Sequence, residues 1–266
     1  MTVASRILPA LPFGRRADRL VERNVMSYRR TWLVLVSGFF EPLFYLLGIG
    51  FGIGALVGTV TGPDGGPISY GVFVAPGLLA SSAMNGAIYD STFNIFFKLR
   101  YAKTYDAILA TPLGISDIAV GEITWALIRG TLYAIGFLSV MLVLGLARSP
   151  WVILALPAAM LIGFAFAAVG MAATTWVRSW TDFDYIFMVT LPLFLFSSTF
   201  YPLSVYPEPL RTIVSLTPLS RCIDLLRSLA LGQIGPILLI DVAYLAVMGG
   251  IGLWVVSGRL DRLLLK

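Results

Sequence analysis

Long uncharged stretches dominate the chain, and their lengths predict six membrane-spanning helices. About 20 apolar residues cross a bilayer as an α-helix, and stretches of roughly this length recur along the sequence. The chain is therefore predicted to be an all-α, polytopic membrane protein with one transmembrane domain over residues 1–266. The predicted spans cover residues 32–56, 70–93, 117–146, 151–177, 184–201 and 237–256.

The basic residues predict which way these spans face. Lysine and arginine are retained on the cytoplasmic side of a membrane. Most of the 19 here lie before the first predicted span, between the second and third, or after the last. The predicted protein thus crosses the cytoplasmic membrane several times, with both termini in the cytoplasm. The first 31 residues lack the apolar core of a signal peptide, so the first span is expected to direct insertion.

Two further segments are predicted to lie at the membrane surfaces. Residues 15–30 have apolar positions at three- and four-residue spacing with arginines elsewhere, which predicts an amphipathic helix on the inner leaflet. Alternatively, this segment only sets the topology. Four prolines interrupt residues 201–231, which favours outer re-entrant helices. An outer loop with a single interfacial helix is the alternative.

The inner loop over residues 94–114 carries a third candidate helix. An apolar and aromatic stripe is predicted on one face, formed by Tyr101, Tyr105, Ile108 and Leu109. Leaving such a stripe in water is costly, so it predicts contact either with the membrane or with a groove on a partner protein.

Ionisable groups inside predicted spans need partners, because each costs several kcal/mol in hydrocarbon. We single out four of them, Glu41, Glu122, Arg129 and Asp241. Glu41 and Arg129 lie at similar predicted depths, which suggests a pair within the bundle or across a dimer interface. Such charges serve either packing or contact with a substrate head group. The phenylalanines Phe40, Phe44 and Phe196 either line an apolar route or face lipid.

Composition narrows the chemistry. The chain is 58% hydrophobic and 12% charged, has no histidine and has one cysteine, so histidine-dependent catalysis and an internal disulfide are excluded. It has no P-loop motif, so ATP would have to be bound by a partner. A membrane-embedded lipid-headgroup transferase is one alternative, using Asp117 with Glu122 or Asp182 with Asp184. A non-transporting assembly factor is another.

Four stretches carry a resemblance to a known family: FEPLFYLLGIG at 40–50, YGVFVAPGLL at 70–79, the run at 105–113 ending ATPL, and FYPL at 200–203. Together with the order of the predicted parts, they resemble the type-2 ATP-binding-cassette (ABC) exporter permeases of bacterial membranes. Within that family the chain is most similar to nodulation-factor (lipo-oligosaccharide) and daunorubicin-type drug exporter subunits.

The resemblance implies a transport subunit without an ATPase site of its own. Two copies, or this chain and a related one, would pair with two ABC ATPase subunits that bind ATP and magnesium, with no cofactor in this chain and no nucleic acid. The substrate would be an amphipathic molecule, a lipid-linked saccharide or a hydrophobic drug, moved outward. The resemblance also implies a coupling helix that docks the ATPase through Lys98, Arg100, Tyr101, Tyr105, Ile108, Leu109 and Thr111.

Overall fold

Helices joined by short turns, with one β-hairpin, make up the described part of the protein, which is residues 16–28, 40, 43–62 and 65–264 of a computed structural model. The helices are α1 Ala17–Tyr28, α2 Leu43–Val57, α3 Tyr70–Tyr101, α4 Thr104–Leu109, α5 Ile115–Val143, α6 Pro150–Thr174, α7 Phe183–Leu195, α8 Leu210–Leu216, α9 Pro218–Leu231 and α10 Ile237–Leu264. Strands β1 Thr59–Thr61 and β2 Pro67–Ser69 pair antiparallel, with Val60 opposite Ile68.

Four of the described helices are long and apolar enough to cross a membrane. They are α3, α5, α6 and the Ile237–Leu260 part of α10, and they match the second, third, fourth and sixth predicted spans. The first predicted span is described only in part. Its described part contains α2, a shorter apolar helix, and residues 32–39, 41 and 42 lie outside the described residues. The count of six spans remains a prediction.

The fifth predicted span contains a shorter helix than expected. α7 ends at Leu195, whereas the apolar pattern continues to residue 201. The Ser197 hydroxyl donates to the carbonyl of Phe194 at 2.8 Å and accepts from the amide of Thr199 at 3.3 Å. Such side-chain bonds compete with the helical ladder. At about 1.5 Å per residue, α7 is shorter than the hydrocarbon thickness of about 30 Å.

Helix α6 occupies the centre of the bundle and packs against α3, α5 and α10. Small residues allow the close contact with α10. A Cβ placed on Gly252 would lie 2.8 Å from the backbone carbon of Ala168, which leaves no room for a side chain. Close approach of this kind is the usual way in which membrane helices associate.

The proline-rich segment over residues 201–231 folds as a turn followed by α8 and α9. α9 packs against α3 and α10 and buries one whole face, including Leu219, Ile223 and Leu226. Burial in protein satisfies the condition under which broken helices are tolerated near a membrane.

The N-terminal segment forms helix α1; residues 15, 29 and 30 of the predicted 15–30 helix lie outside the described residues. Its apolar face contacts protein, because Leu20 is 1% exposed and lies against Gly121 of α5. Val25 and Met26 stay exposed. α1 is therefore attached to the bundle through α5.

Candidate functional site

A cavity of about 650 Å³ lies between α2, α3, α5 and α7. Its described lining combines apolar, aromatic, hydroxyl, amide and charged side chains. The aromatic members are Tyr45, Tyr89, Phe93, Tyr133, Phe187 and Phe194. Binding sites for organic molecules are usually concave and apolar, with a few placed polar groups. This cavity can therefore accommodate a molecule with both a polar and an apolar part.

Several polar groups of the lining have no hydrogen-bond partner among the described residues and are placed to bond a ligand. The side chains of Ser82, Asn85 and Thr190 line the cavity and make no hydrogen bond to any described residue. Ser81, one position before Ser82, donates instead to the carbonyl of Gly77 and lies 3.2 Å from the Thr199 hydroxyl. The free groups lie on α3 and α7, so a bound molecule could contact both walls.

A buried ion pair lies in the wall of the cavity. The Arg129 guanidinium of α5 donates from Nη1 to Oδ1 of Asp90 on α3 at 2.8 Å, and both side chains are less than one-tenth exposed. The same guanidinium donates to the hydroxyls of Tyr28 and Tyr133 at 3.2 Å. Asn94 also donates to Tyr28. The pair thus connects α1, α3 and α5.

A second buried ion pair joins the same two helices further along. Lys98 of α3 donates to Glu122 of α5 at 2.7 Å, where Glu122 is 3% exposed. Asn24 of α1 contacts the same carboxylate at 3.5 Å. The acid lies on α3 in one pair and on α5 in the other. We call the two pairs, Asp90–Arg129 and Lys98–Glu122, the charge ladder.

The predicted intramembrane charges that the structure describes have partners that the sequence analysis did not name. Arg129 is paired with Asp90, a residue that the sequence analysis did not single out, and Glu41 lies outside the described residues. Asp241 of α10 is 1% exposed and accepts from Arg221 of α9 at 3.3 Å. Glu122, Arg129 and Asp241 are thus each paired, as the cost of burying a charge requires.

The predicted aromatic route differs from the observed lining. Phe40, Phe44 and Phe196 are exposed, and the described lining of the cavity does not include them. The aromatic side chains that do line it lie close by in sequence, at Tyr45 and Phe194. The predicted role of Phe40, Phe44 and Phe196, either in an apolar route or in contact with lipid, stays a prediction.

The inner loop does not form the continuous stripe predicted from its sequence. α3 ends at Tyr101, Lys103 adopts a left-handed conformation with φ of 44°, and α4 starts at Thr104. Because of this break, Tyr101 is 56% exposed while Tyr105 is fully buried and Ile108 is 7% exposed. Tyr105 and Ile108 therefore pack against the chain itself, and their side chains do not lie on an open surface.

The open surface of this loop is a different set of residues, which we call the loop face. Its exposed members are Arg100, Tyr101, Lys103, Asp106, Ala107 and Thr111. Of the other predicted docking residues, Leu109 is half-buried and Lys98 belongs to the charge ladder.

Beneath the loop face, the Tyr105 hydroxyl has no hydrogen-bond partner among the described residues. Burial, followed by the neighbouring Glu122 carboxylate, raises the pKa of this phenol well above its ordinary value. Tyr105 therefore stays neutral inside the protein at any physiological pH.

A series of neighbouring aromatic rings connects the loop face with the cavity. Tyr101 lies 5.6 Å from Trp180, Trp180 lies 5.6 Å from Phe183, and Phe183 stacks on Phe93 at 4.1 Å between ring centres. Phe93 lines the cavity. Aromatic pairs at these distances add packing energy beyond their buried area, so the loop face and the cavity wall are physically continuous.

Two of the carboxylates considered for an enzymatic role instead cap helices. Asp117 accepts from the amide of Arg16 at 3.0 Å and from the amide of Gly114 at 2.9 Å. Asp182, between α6 and α7, accepts from the amides of Arg178 and Ser179, which lower its pKa. Among the described residues there is also no group of three or more potential metal ligands.

Two buried charged residues were missed by the sequence analysis. Asp90 lies inside the predicted span 70–93, three residues before its end. A carboxylate at that position was the sequence signal for a buried charge. Arg227 of α9 is 5% exposed and donates to the carbonyls of Phe73 and Ser198, with its guanidinium 3.9 Å from the Phe73 ring centre. In sequence, Arg227 resembles an ordinary surface arginine.

Comparison with known proteins adds an independent result. The model of the ABC-2 type transporter family matches residues 18–231. The chain is 32% identical to "Nodulation protein J" of Sinorhizobium fredii over 264 residues, which is 98% of this chain and 97% of that protein. It is 34% identical to the protein of the same name from Rhizobium leguminosarum bv. trifolii, over 79% of both chains. The Azorhizobium caulinodans protein of that name is 27% identical over 90% of this chain and 95% of its own.

Proposed function

Because the chain belongs to the ABC-2 type transporter family and is the membrane component of such a transporter, we propose that it exports an amphipathic molecule. The substrate is a lipid-linked saccharide or a similar molecule with a polar head and an apolar tail. A separate ABC ATPase hydrolyses the ATP. Two permease chains, either two copies or this chain and a related one, assemble with two ATPase subunits in the bacterial cytoplasmic membrane.

The composition of the cavity is the observation that carries this proposal. Its free hydroxyl and amide groups on α3 and α7 suit a saccharide head, and its aromatic and aliphatic side chains suit an acyl chain. A purely apolar drug would leave these polar groups without partners, which costs binding free energy. The lining therefore favours the saccharide-bearing substrate over the apolar drug.

A steric block tests whether the cavity is the route. Gly86 lines the cavity, and a Cβ built on it meets nothing within 4 Å. Gly86→Trp is therefore expected to fill the cavity without disturbing the fold and to abolish ATP-dependent uptake of a fluorescent acyl-oligosaccharide into inverted vesicles. Gly130→Trp on α5 is the matched control, since Gly130 is equally open but outside the described lining. Equal transport by both variants would place the route elsewhere.

The loop face is proposed as the surface that docks the ATPase. Tyr101→Glu and Ala107→Glu change exposed residues of that face, so they are expected to lose the ATPase in a pull-down while remaining in the membrane. Ser204→Glu, exposed at the opposite end of the bundle, is the control. The proposed ABC ATPase subunit is co-expressed as the binding partner. Retention of the ATPase by both loop-face variants would contradict docking at this face.

A further inference from the structure

The charges in the cavity wall cancel. Asp90 and Arg129 are the charged side chains among the described lining residues, and they bond each other at 2.8 Å. A bare guanidinium at that position would attract an anionic group strongly, because electrostatic interactions gain strength away from water. With Asp90 in contact, an anionic group would also meet the carboxylate, so the attraction is offset by repulsion.

The remaining polar groups of the lining are uncharged. Ser82, Asn85 and Thr190 offer hydroxyl and amide groups that have no hydrogen-bond partner in the part of the chain that the structure describes. Such groups donate to and accept from hydroxyls and amides, and they cannot balance a net charge. The cavity is thus equipped for a head group rich in hydrogen-bonding atoms and without net charge.

Arg129 has a second task that explains its presence in a cavity with no net charge. Its guanidinium holds the hydroxyls of Tyr28 and Tyr133, so it fixes α1 and α5 relative to each other. Because Arg129 makes these contacts, the cavity wall contains a positive charge. The carboxylate of Asp90 compensates that charge.

We propose that Asp90 is a specificity-determining residue: by neutralising Arg129, it makes the cavity select amphiphiles with uncharged polar heads over those with anionic heads. This inference rests on the proposed function. It predicts that the preference for one head-group charge over another depends on the summed charge of Asp90 and Arg129. Asp90→Asn gives a positive wall, Arg129→Gln gives a negative wall, and the double variant restores a wall without charge.

The test compares three matched fluorescent acyl-oligosaccharides, which are uncharged, phosphate-bearing and amine-bearing, in inverted vesicles that contain the permease and its ATPase. Uptake is expressed as the ratio of each charged probe to the uncharged probe, so differences in protein amount cancel. The native protein is expected to favour the uncharged probe. Asp90→Asn is expected to raise the phosphate ratio about tenfold or more, since charge complementarity controls selection. Arg129→Gln is expected to raise the amine ratio.

Two controls distinguish an effect of the charge at the cavity wall from a general loss of folded protein. Asp241→Asn removes a buried, paired carboxylate from α10, outside the described lining, so both ratios are expected to stay at native values. Asp90→Asn with Arg129→Gln is expected to return both ratios toward native values. If Asp90→Asn fails to accumulate, the shift toward the amine probe in Arg129→Gln still tests the inference.

The outcomes distinguish this inference from the proposed function. Uptake of the uncharged probe with ratios that do not change in any charge variant would overturn the role of Asp90 and leave the exporter intact. Uptake of none of the three probes by the native protein would overturn the proposed substrate class, and the inference with it. Opposite shifts in the two single variants, reversed in the double variant, would support it.

Discussion

Helix α1 approaches α5 closely at Gly121. A Cβ at this position would lie 2.7 Å from Cδ2 of Leu20 and 3.1 Å from the carbonyl oxygen of Ala17. Gly121→Ala is therefore expected to push α1 off the bundle, at a cost of about 1–3 kcal/mol for overpacking. The melting temperature of the detergent-solubilised protein, followed by fluorescence-detected gel filtration, measures this loss.

Gly130→Ala provides the matched control two turns along the same helix, because a Cβ there meets nothing within 4 Å. Its melting temperature is expected to equal or exceed the native value, since alanine favours a helix over glycine. Gly121→Ala combined with Leu20→Ala is expected to recover part of the loss. An unchanged melting temperature in Gly121→Ala alone would mean that α1 does not pack here.

Tyr105 separates packing from docking in the inner loop. Its hydroxyl is buried without a hydrogen-bond partner among the described residues, and leaving such a group unsatisfied costs free energy. Tyr105→Phe is therefore expected to keep or raise the melting temperature and to retain the ATPase. Tyr105→Glu places an unpaired charge in the interior beside Glu122 and is expected to cost about 3 kcal/mol or more. A stable Tyr105→Glu protein that selectively loses the ATPase would contradict this assignment.

For single residues, the sequence predicted how deep a side chain lies in the membrane but not which neighbouring helix it faces. That Arg129 needs a buried partner follows from its place in a span. Its partner was not identifiable, because Asp90 and Glu41 both lie in neighbouring predicted spans and nothing in a sequence fixes how each helix is rotated. The same limit applies to Tyr105, whose apolar ring indicated a covered surface without saying which surface covers it.

The pairing of α3 with α5 yields a prediction about elements. Removing one partner of a buried ion pair leaves an uncompensated charge and costs about 3–5 kcal/mol. Lys98→Met and Glu122→Gln are each expected to lower the melting temperature strongly, and the double variant less than the sum of the two. Exposed charges at Arg211 and Glu208, 3.8 Å apart, form the control pair, for which Arg211→Gln should change stability by about 0.5 kcal/mol or less.

Additive losses in the Lys98 and Glu122 variants would show that the two side chains do not interact. The double-variant cycle measures the coupling itself, because effects that each substitution has on its own cancel in the comparison.

Helices were predictable where apolar length alone decides them, as for α3, α5, α6 and α10. The sequence predicted the ends of helices less well where side-chain hydrogen bonds end a helix inside an apolar stretch. The 197–200 turn stays apolar enough to resemble a span, yet the Ser197 hydroxyl ends α7 early. Lys103 breaks the predicted coupling helix through its backbone conformation, which no periodicity of side chains reveals.

The orientation of the whole molecule is testable by labelling, because the single cysteine is buried. Cys222 is 0% exposed, so the native protein is expected to be unreactive toward a membrane-impermeant maleimide. Ser204→Cys and Lys103→Cys place exposed thiols at opposite ends of the bundle. Because basic residues stay in the cytoplasm, intact cells should label Ser204→Cys, and Lys103→Cys should react only after permeabilisation.

Labelling of Lys103→Cys in intact cells would reverse the proposed orientation, and the loop face would then be out of reach of a cytoplasmic ATPase. Both thiols should react after detergent treatment, which shows that a lack of reaction in intact cells reflects the membrane and not burial.

The charge ladder also restricts how the cavity can open. Asp90 and Lys98 are eight residues apart on α3, and Glu122 and Arg129 are seven apart on α5, so both spacings are roughly two turns. If α3 slid along α5 by one spacing, Asp90 would face Glu122, or Lys98 would face Arg129. Like charges would then meet in a dry interior, which is strongly unfavourable.

A slide of α3 along α5 by one spacing is thus disfavoured in both directions. α7 carries no such restraint among its described contacts, and side chains such as Tyr185, Met188 and Val189 remain exposed on it. We therefore expect a transport cycle that widens or closes the cavity to move α7 or α2 relative to α3 and α5.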